Sequence, residues 1–399
     1  YVPKDMLEEF DAISRGAWAA GLNKTVSVGQ QQKRMVTLAT LPADLVNIVR
    51  LVESDYEQGM PESLKEKINK ALKAMEEKSG IPPENIPYPN GTFPKPTARG
   101  ALPLSQTRPG FCDFLAVWGK RTEDGRLIST RNLDWGKQSG LAKYKLITVW
   151  NIEGKTPYAT IGFAGALTAS IAGMSKAGIT VSEANLDNAN VTFRGFPWPL
   201  RLRHIMEEAT DLASARKVWA SANNTAAFNF LIGSASDAPK GPAAMAMETM
   251  KDFTAYFYDN SPIEKEAKWE NSVIGKPMPD AVWRSNHALH PTVMSTQENL
   301  WNDTIWRYME LHNLIEEKST GGKAMTAEDV VYIVSVLGIK GTNYLTCDQD
   351  FAEGDNIMSI VYDPSKHNAI VSWEDGMTDQ DWRPAACNKY ILFDLSRVF

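Results

Sequence analysis

Cys112, Arg131 and Asp134 lie within one stretch, Gly110 to Trp135, whose residue types and spacing suit thiol chemistry. Cys112 is followed by an apolar segment from Phe114 to Trp118, a polar turn with Asp124-Gly125, and a second apolar segment through Leu127 and Ile128. This pattern predicts a β-hairpin turned by Asp-Gly. Its second strand returns Arg131 and Asp134 beside the first residue of the first strand, so a thiol, a guanidinium and a carboxylate meet at one end of a sheet. A free thiol, with a pKa of about 8.5, is mostly protonated at neutral pH. One source of activation is Arg131 as a neighbouring cation. The other is cleavage of the bond between Phe111 and Cys112, which would free an α-amine of pKa about 7.7 to 8.0 to take the thiol proton. Asp134 would then hold the amine and Arg131 in place.

The elements that must carry these groups can be read along the chain. At 399 residues and 43% hydrophobic content the protein has ample material for a core. Residues 4–22 place Met6, Phe10, Ile13 and Ala17 at helical spacing, and residues 41–57 and 61–79 repeat the theme. From Ile81 to Gly110 recurring prolines exclude regular helix and predict an extended connector ending at the nucleophile. The connector is either an ordinary loop between two domains or a segment presenting the Phe111–Cys112 bond for cleavage, and in the second case residues 1–111 are a helical light chain or propeptide and residues 112–399 the catalytic domain. Beyond the hairpin, strands are expected at 146–150, 158–163, 179–182, 228–233, 243–248, 253–258, 357–362, 369–373 and 390–395. Helices are expected at 198–219, with Pro199 in its first turn, at 302–317 carrying Arg307, and at 326–337 behind a Thr326-x-x-Asp329 cap. Two blocks of strands with helices between them fit two stacked antiparallel sheets covered on both outer faces.

The stretch from Cys112 to Trp135, with Arg131-Asn132-Leu133-Asp134-Trp135, resembles the start of the mature chain in cysteine-type N-terminal nucleophile hydrolases. These include choloylglycine hydrolases, penicillin V acylase, acid ceramidase, the acid amidase acting on N-acylethanolamines and the isopenicillin N acyltransferase group. Gly173 to Val181 leading to Asn185, Ser285-Asn286-His287, and Arg307 within Asp303 to Tyr308 resemble further elements of these enzymes, in the same order. The resemblance implies an α+β fold, the four-layer αββα sandwich, with a helical N-terminal segment. It implies autocatalytic cleavage before Cys112, then hydrolysis of a linear amide in an N-acyl substrate through an acyl-thioester on Cys112. The side chain of Asn286 and a backbone donor near Asn185 would stabilise the oxyanion, and Arg307 would order the site or bind substrate. Acid ceramidase-like or acylethanolamine-like lipid amide hydrolysis is the expected activity and acyl transfer its runner-up. Asp113, where relatives carry Thr or Ser, leaves a third reading open, an inactive subunit that kept the fold.

Other groupings offer different chemistry. His287-x-x-His290 could begin a metal site but has no third ligand at a suitable spacing, and no cofactor is expected. A Cys112–His287 dyad is chemically sound, yet Cys112 leads a strand. Arg131 could simply be an ion-pair partner of Asp134. With Cys112 assigned to catalysis, Cys347 and Cys387 remain as an even pair suited to a disulfide. The net charge of −6 gives no basic field for nucleic acid, and no apolar run reaches the length of a transmembrane helix. Acceptor sites for glycosylation occur at Asn23, Asn90, Asn190, Asn223 and Asn302. Together with a first residue, Tyr1, that is not Met, they suggest a removed leader and a secreted or lysosomal protein, with cytoplasmic placement as the alternative. The expected partners are a small N-acyl amide and the chain's own light segment.

Overall fold

The computed structural model describes residues 2–19, 112–135, 144–163, 171–188, 190–192, 194–269, 272–298, 300, 302–341, 347, 356–376 and 381–399. The expected helices at 41–57 and 61–79, the Pro-rich connector and Phe111 lie outside these residues. An N-terminal helix, α1 (Lys4–Ala19), precedes the strands β1 (Cys112–Val117), β2 (Ile128–Asp134), β3 (Lys145–Trp150), β4 (Tyr158–Phe163), β5 (Gly173–Ser175) and β6 (Ile179–Asn185). The helices α2 (Trp198–Glu208) and α3 (Leu212–Ala220) lead into β7 (Phe228–Ser234), β8 (Ala244–Met250) and β9 (Phe253–Phe257). A two-stranded ribbon, β10 (Lys268–Trp269) with β11 (Ser272–Val273), comes before β12 (Ala281–Arg284). The helices α4 (Asn302–Lys318) and α5 (Ala327–Gly341) precede β13 (Asn356–Asp363), β14 (Asn368–Trp373) and β15 (Ile391–Asp394).

Two antiparallel sheets result. One has six strands in the order β12-β1-β2-β13-β14-β15, and the other has seven in simple sequence from β3 to β9. The first sheet packs on the second through β1 and β2 against β6 and β7, and through β12 against β8. Helices α4 and α5 cover the outside of the six-stranded sheet, and α2 and α3 the outside of the seven-stranded one. The molecule is thus the expected four-layer αββα sandwich. Strands β1, β2, β7, β8 and β13 are buried along their whole length because both faces are covered. The largely apolar sequences of β1, β7, β8 and β13 follow from that burial, whereas β2 buries the polar Ser129, Thr130, Arg131, Asn132 and Asp134. Helix α1 is anchored by Met6 among Phe196 and Leu200, and by Glu9 on Arg203 at 2.9 Å.

The hairpin forms as expected, with Cys112 opposite Leu133 and Asp113 opposite Asn132. Asp124 and Gly125 both take left-handed φ, 59° and 67°, within a longer connection that contains two short 3-10 turns. The single helix expected at 198–219 is instead two. Ala209 is extended, and Asp211 starts α3 with a reciprocal capping box: its carboxylate accepts from Ser214 N at 2.7 Å, while Ser214 Oγ accepts from Asp211 N at 3.1 Å. Apolar spacing ran through this point because both helices face one sheet, and the cap chemistry of Asp211 outweighs it. The Thr326–Asp329 cap is present, with Asp329 N donating to Thr326 Oγ1 at 3.1 Å. Among the described residues no helix is long and apolar enough to cross a membrane. Loss of an N-cap of this kind costs about 1 kcal/mol, so Asp211→Ala should lower the thermal midpoint by roughly 2–4 °C, as calorimetry would show.

Candidate active site

The pleat of the β1–β2 hairpin sorts the site into two sides. Successive side chains on a strand point to opposite faces, so Arg131 and Asp134, three residues apart, cannot share one. The Cys112 thiol and Arg131 face the space between the sheets, where the Arg131 charge acts on the thiol and its guanidinium pairs with Glu183 from β6 of the opposite sheet. Asp113 and Asn132 face the helices. Asn132 Nδ2 donates to Asp113 Oδ1 at 3.1 Å and to the Val334 carbonyl of α5 at 3.0 Å. The expected pairing of Arg131 with Asp134 is therefore corrected: Glu183 takes that role. Sequence reasoning missed Glu183, although it lies two residues before Asn185 in the segment singled out; the signal was the one charged residue on a seven-residue strand.

Arg307 reaches the end of the hairpin from α4. Its Nη1 donates to the Cys112 carbonyl at 2.7 Å and lies 3.5 Å from Asp113 Oδ2 and 3.9 Å from Asp134 Oδ2. Its Nη2 donates to Asn286 Oδ1 at 2.8 Å, and its Nε to Asp303 at 2.9 Å. Asn286 stands in the loop after β12, a short edge strand beside β1 that the sequence reading did not place. Its Oδ1 accepts from the backbone N–H of Cys112 at 2.7 Å, and its Nδ2 donates to the Asn185 carbonyl at 2.8 Å. Two donors on one end and an acceptor on the other fix the orientation of the amide. Asn286 therefore holds the Cys112 nitrogen here, and Asn185 contributes a backbone acceptor. Asn229 secures the loop by donating to the carbonyls of Ser285 at 2.7 Å and His287 at 2.9 Å.

Burial governs the electrostatics. It pushes the Cys112 thiol up to about 12 despite Arg131, with Glu183 and Asp134 adding to the rise. Burial opposes the charge on Arg131, but the neighbouring Cys112 and Glu183 hold it firmly protonated. Burial also pushes the Asp113 carboxyl up to about 6 against the pull of Arg307 and Asn132. His287 does not suit the role of base for Cys112: its Nδ1 lies 2.6 Å from Thr304 Oγ1, and burial with Arg284 and Arg307 nearby lowers it to about 3. No group of three or more His, Cys, Asp or Glu among the described residues could hold a metal. Cys347 and Cys387 are joined by a disulfide, leaving Cys112 as the free thiol. Of the glycosylation candidates, Asn223 is exposed and Asn190 is partly buried, with Nδ2 against the Met250 sulfur. Asn23 and Asn90, and the side chain of Asn302, lie outside the described residues.

A thiol leading a strand of a four-layer αββα sandwich, its backbone nitrogen held by an asparagine and two arginines at its sides, defines the N-terminal nucleophile class. Residues 120–377 match the family described as acyl-coenzyme A:6-aminopenicillanic acid acyl-transferase. The chain belongs to that family, within the N-terminal nucleophile hydrolases. Solved structures similar to it include a Caenorhabditis elegans ortholog of N-acylethanolamine-hydrolyzing acid amidase, at 14% identity and a TM-score of 0.42 over 63% of this chain and 93% of that one. A mutant of the conjugated bile acid hydrolase from Clostridium perfringens gives 13% and 0.46 over 72% and 93%. Penicillin V acylase from Agrobacterium tumefaciens gives 12% and 0.37 over 66% and 83%. No curated protein sequence matches the chain.

Asp113 carries a stability prediction. Its folded pKa of about 6 stands above its ordinary 3.8, so its contribution to stability is full below about 3.8 and is lost as the pH rises through 6. Asp113→Asn removes this titration, so the fall in thermal midpoint between pH 4 and pH 7.5 should be smaller in the variant than in the wild type by about 4 °C, at roughly 2–4 °C per kcal/mol. An equal fall in both proteins would contradict the assignment.

Proposed function

We propose that the chain is a self-processing thiol hydrolase that cleaves the carbon–nitrogen bond of a linear N-acyl amide through an acyl-thioester on Cys112. The observation that carries this reading is the bond from Cys112 N–H to Asn286 Oδ1, at 2.7 Å. It holds the nitrogen that cleavage before Cys112 would turn into an α-amine. In the first stage the Cys112 thiol adds to the Phe111 carbonyl, the peptide C–N bond breaks and the nitrogen takes the proton. Water then hydrolyses the thioester, leaving a carboxylate on Phe111 and a free thiol on Cys112. In turnover the α-amine takes the thiol proton, the thiolate adds to the substrate carbonyl, and the departing amine receives that proton. Water completes the cycle by releasing the acid. Arg131 favours the thiolate, Arg307 keeps Asn286 and the Cys112 carbonyl in register, and Nδ2 of Asn286 becomes an oxyanion donor when it exchanges the Asn185 carbonyl for substrate. Donors of this type contribute about 3 to 4 kcal/mol in other enzymes.

Acyl transfer to an acceptor amine is the second reading, favoured by the family description. The two differ only in whether water or an amine meets the thioester, and exchange with added amine separates them. The disulfide between Cys347 and Cys387 supports a secreted or lysosomal setting, as does the exposed acceptor site at Asn223.

Reducing, denaturing intact-mass spectrometry tests the proposal. The wild-type protein should give two fragments divided before Cys112, whereas Cys112→Ala should stay whole. A wild-type chain that remains whole after incubation across pH 4 to 8 would exclude the α-amine mechanism.

A further inference from the structure

Asp134 is held from a side of the molecule that the reaction scheme leaves unused. Its Oδ1 accepts from Asn356 Nδ2 at 2.8 Å. Asn356 opens β13 opposite Asp134, and the ladder slips register between Asn356 and Met358. Such a bulge re-aims a side chain that regular pairing would direct elsewhere. A second bond fixes the amide: Ala386 N–H donates to Asn356 Oδ1 at 2.8 Å, which leaves Nδ2 to face the carboxylate. Ala386 is the middle residue of the turn Ala385–Cys387, and Cys387 is bonded to Cys347 with a Cα–Cα distance of 5.4 Å. Helix α5 closes over this point at Gly338, where a Cβ would stand 2.7 Å from Ala386 Cβ and 2.9 Å from Asn356 Oδ1. Asn356, Asp134 and Gly338 are all buried.

We propose that Asn356 is a positioning residue for the thiol site, tying the disulfide-bonded turn to Asp134 and so fixing that carboxylate's distance from Cys112 and Arg307. The line of contacts runs from Cys387 through the Ala386 N–H, the Asn356 amide and the Asp134 carboxylate to Arg307, which grips the Cys112 carbonyl. The inference rests on the reading of Cys112 as nucleophile. Asp134 is one of the charges that keep the proton on the thiol. Released from Asn356, the carboxylate recedes or protonates, and the thiol gives up its proton more readily.

The test is the rate of iodoacetamide alkylation of Cys112 at pH 8 in the full-length protein, resolved from Cys347 and Cys387 by peptide mass spectrometry. Asp134→Asn and Asn356→Ala should each raise the rate by about threefold or more, and the double variant should react no faster than Asp134→Asn alone. The pair Cys347→Ser with Cys387→Ser should behave like Asn356→Ala. Should Asn356→Ala not fold, Gly338→Ala takes its place, because it pushes on Asn356 and Ala386 without removing a polar group. A wild-type rate in Asn356→Ala, or a gain that multiplies again on the Asp134→Asn background, would overturn the proposal, the latter marking general loosening. A Cys112 that labels in no variant overturns it as well. Failure of the processing reading is seen separately, as an uncleaved mass.

Discussion

Two buried guanidiniums set the terms for the rest of the structure. Arg131 and Arg307 both have no solvent exposure, and each lies against Cys112. A buried charge is tolerated only when it is paired and hydrogen-bonded, so each arginine requires acids placed around it by elements distant in sequence. Arg131 is met by Glu183 across the gap between the sheets. Arg307 is met by Asp303 on its own helix and by Asp113 and Asp134 at the hairpin end. The sandwich can close over Cys112 only when strands β1, β2 and β6 and helix α4 all arrive in register. The site is in this sense part of the core.

The two arginines act on different atoms of the same residue because a strand has two faces. On the inter-sheet face Arg131 addresses sulfur, where its charge opposes the effect of burial on the thiol. From the helix side Arg307 addresses the carbonyl oxygen, and through Asn286 it also bears on the nitrogen. Backbone and side chain of Cys112 are therefore fixed independently. Under the proposed mechanism, a thiol that first attacks its own preceding carbonyl and later a substrate would need both kinds of constraint.

Much of this was legible in the sequence where the signal was local. The hairpin, its Asp-Gly turn, the strands β3, β4, β6, β7, β8 and β9 and the cap at Thr326 follow from alternation and turn chemistry within short windows. The resemblance carried Asn185, Asn286 and Arg307 to one site, which no spacing rule could have done. What escaped depends on partners far apart in the chain. Glu183 earns its place only from the sheet opposite, and β12 has four residues and no alternation long enough to register. The break between α2 and α3 was local and still missed, because an unbroken apolar face concealed a capping box. The pairing of Arg131 with Asp134 failed on the period of two, which the residue numbers alone contain.

The polarity of the Asn286 amide ties the intact chain to the chemistry. With Oδ1 accepting from both Cys112 N–H and Arg307, the amide oxygen is committed to positive partners. An amide nitrogen at position 112 cannot take the thiol proton, and a thiol pushed up to about 12 is a poor nucleophile. An amine at the same position would add a lone pair for the proton while keeping an N–H for Asn286 Oδ1. The same asparagine would thus serve both states without turning over. Under the proposed mechanism the change in reactivity would come from the nitrogen itself, and the surrounding arginines and acids could stay where the sandwich holds them.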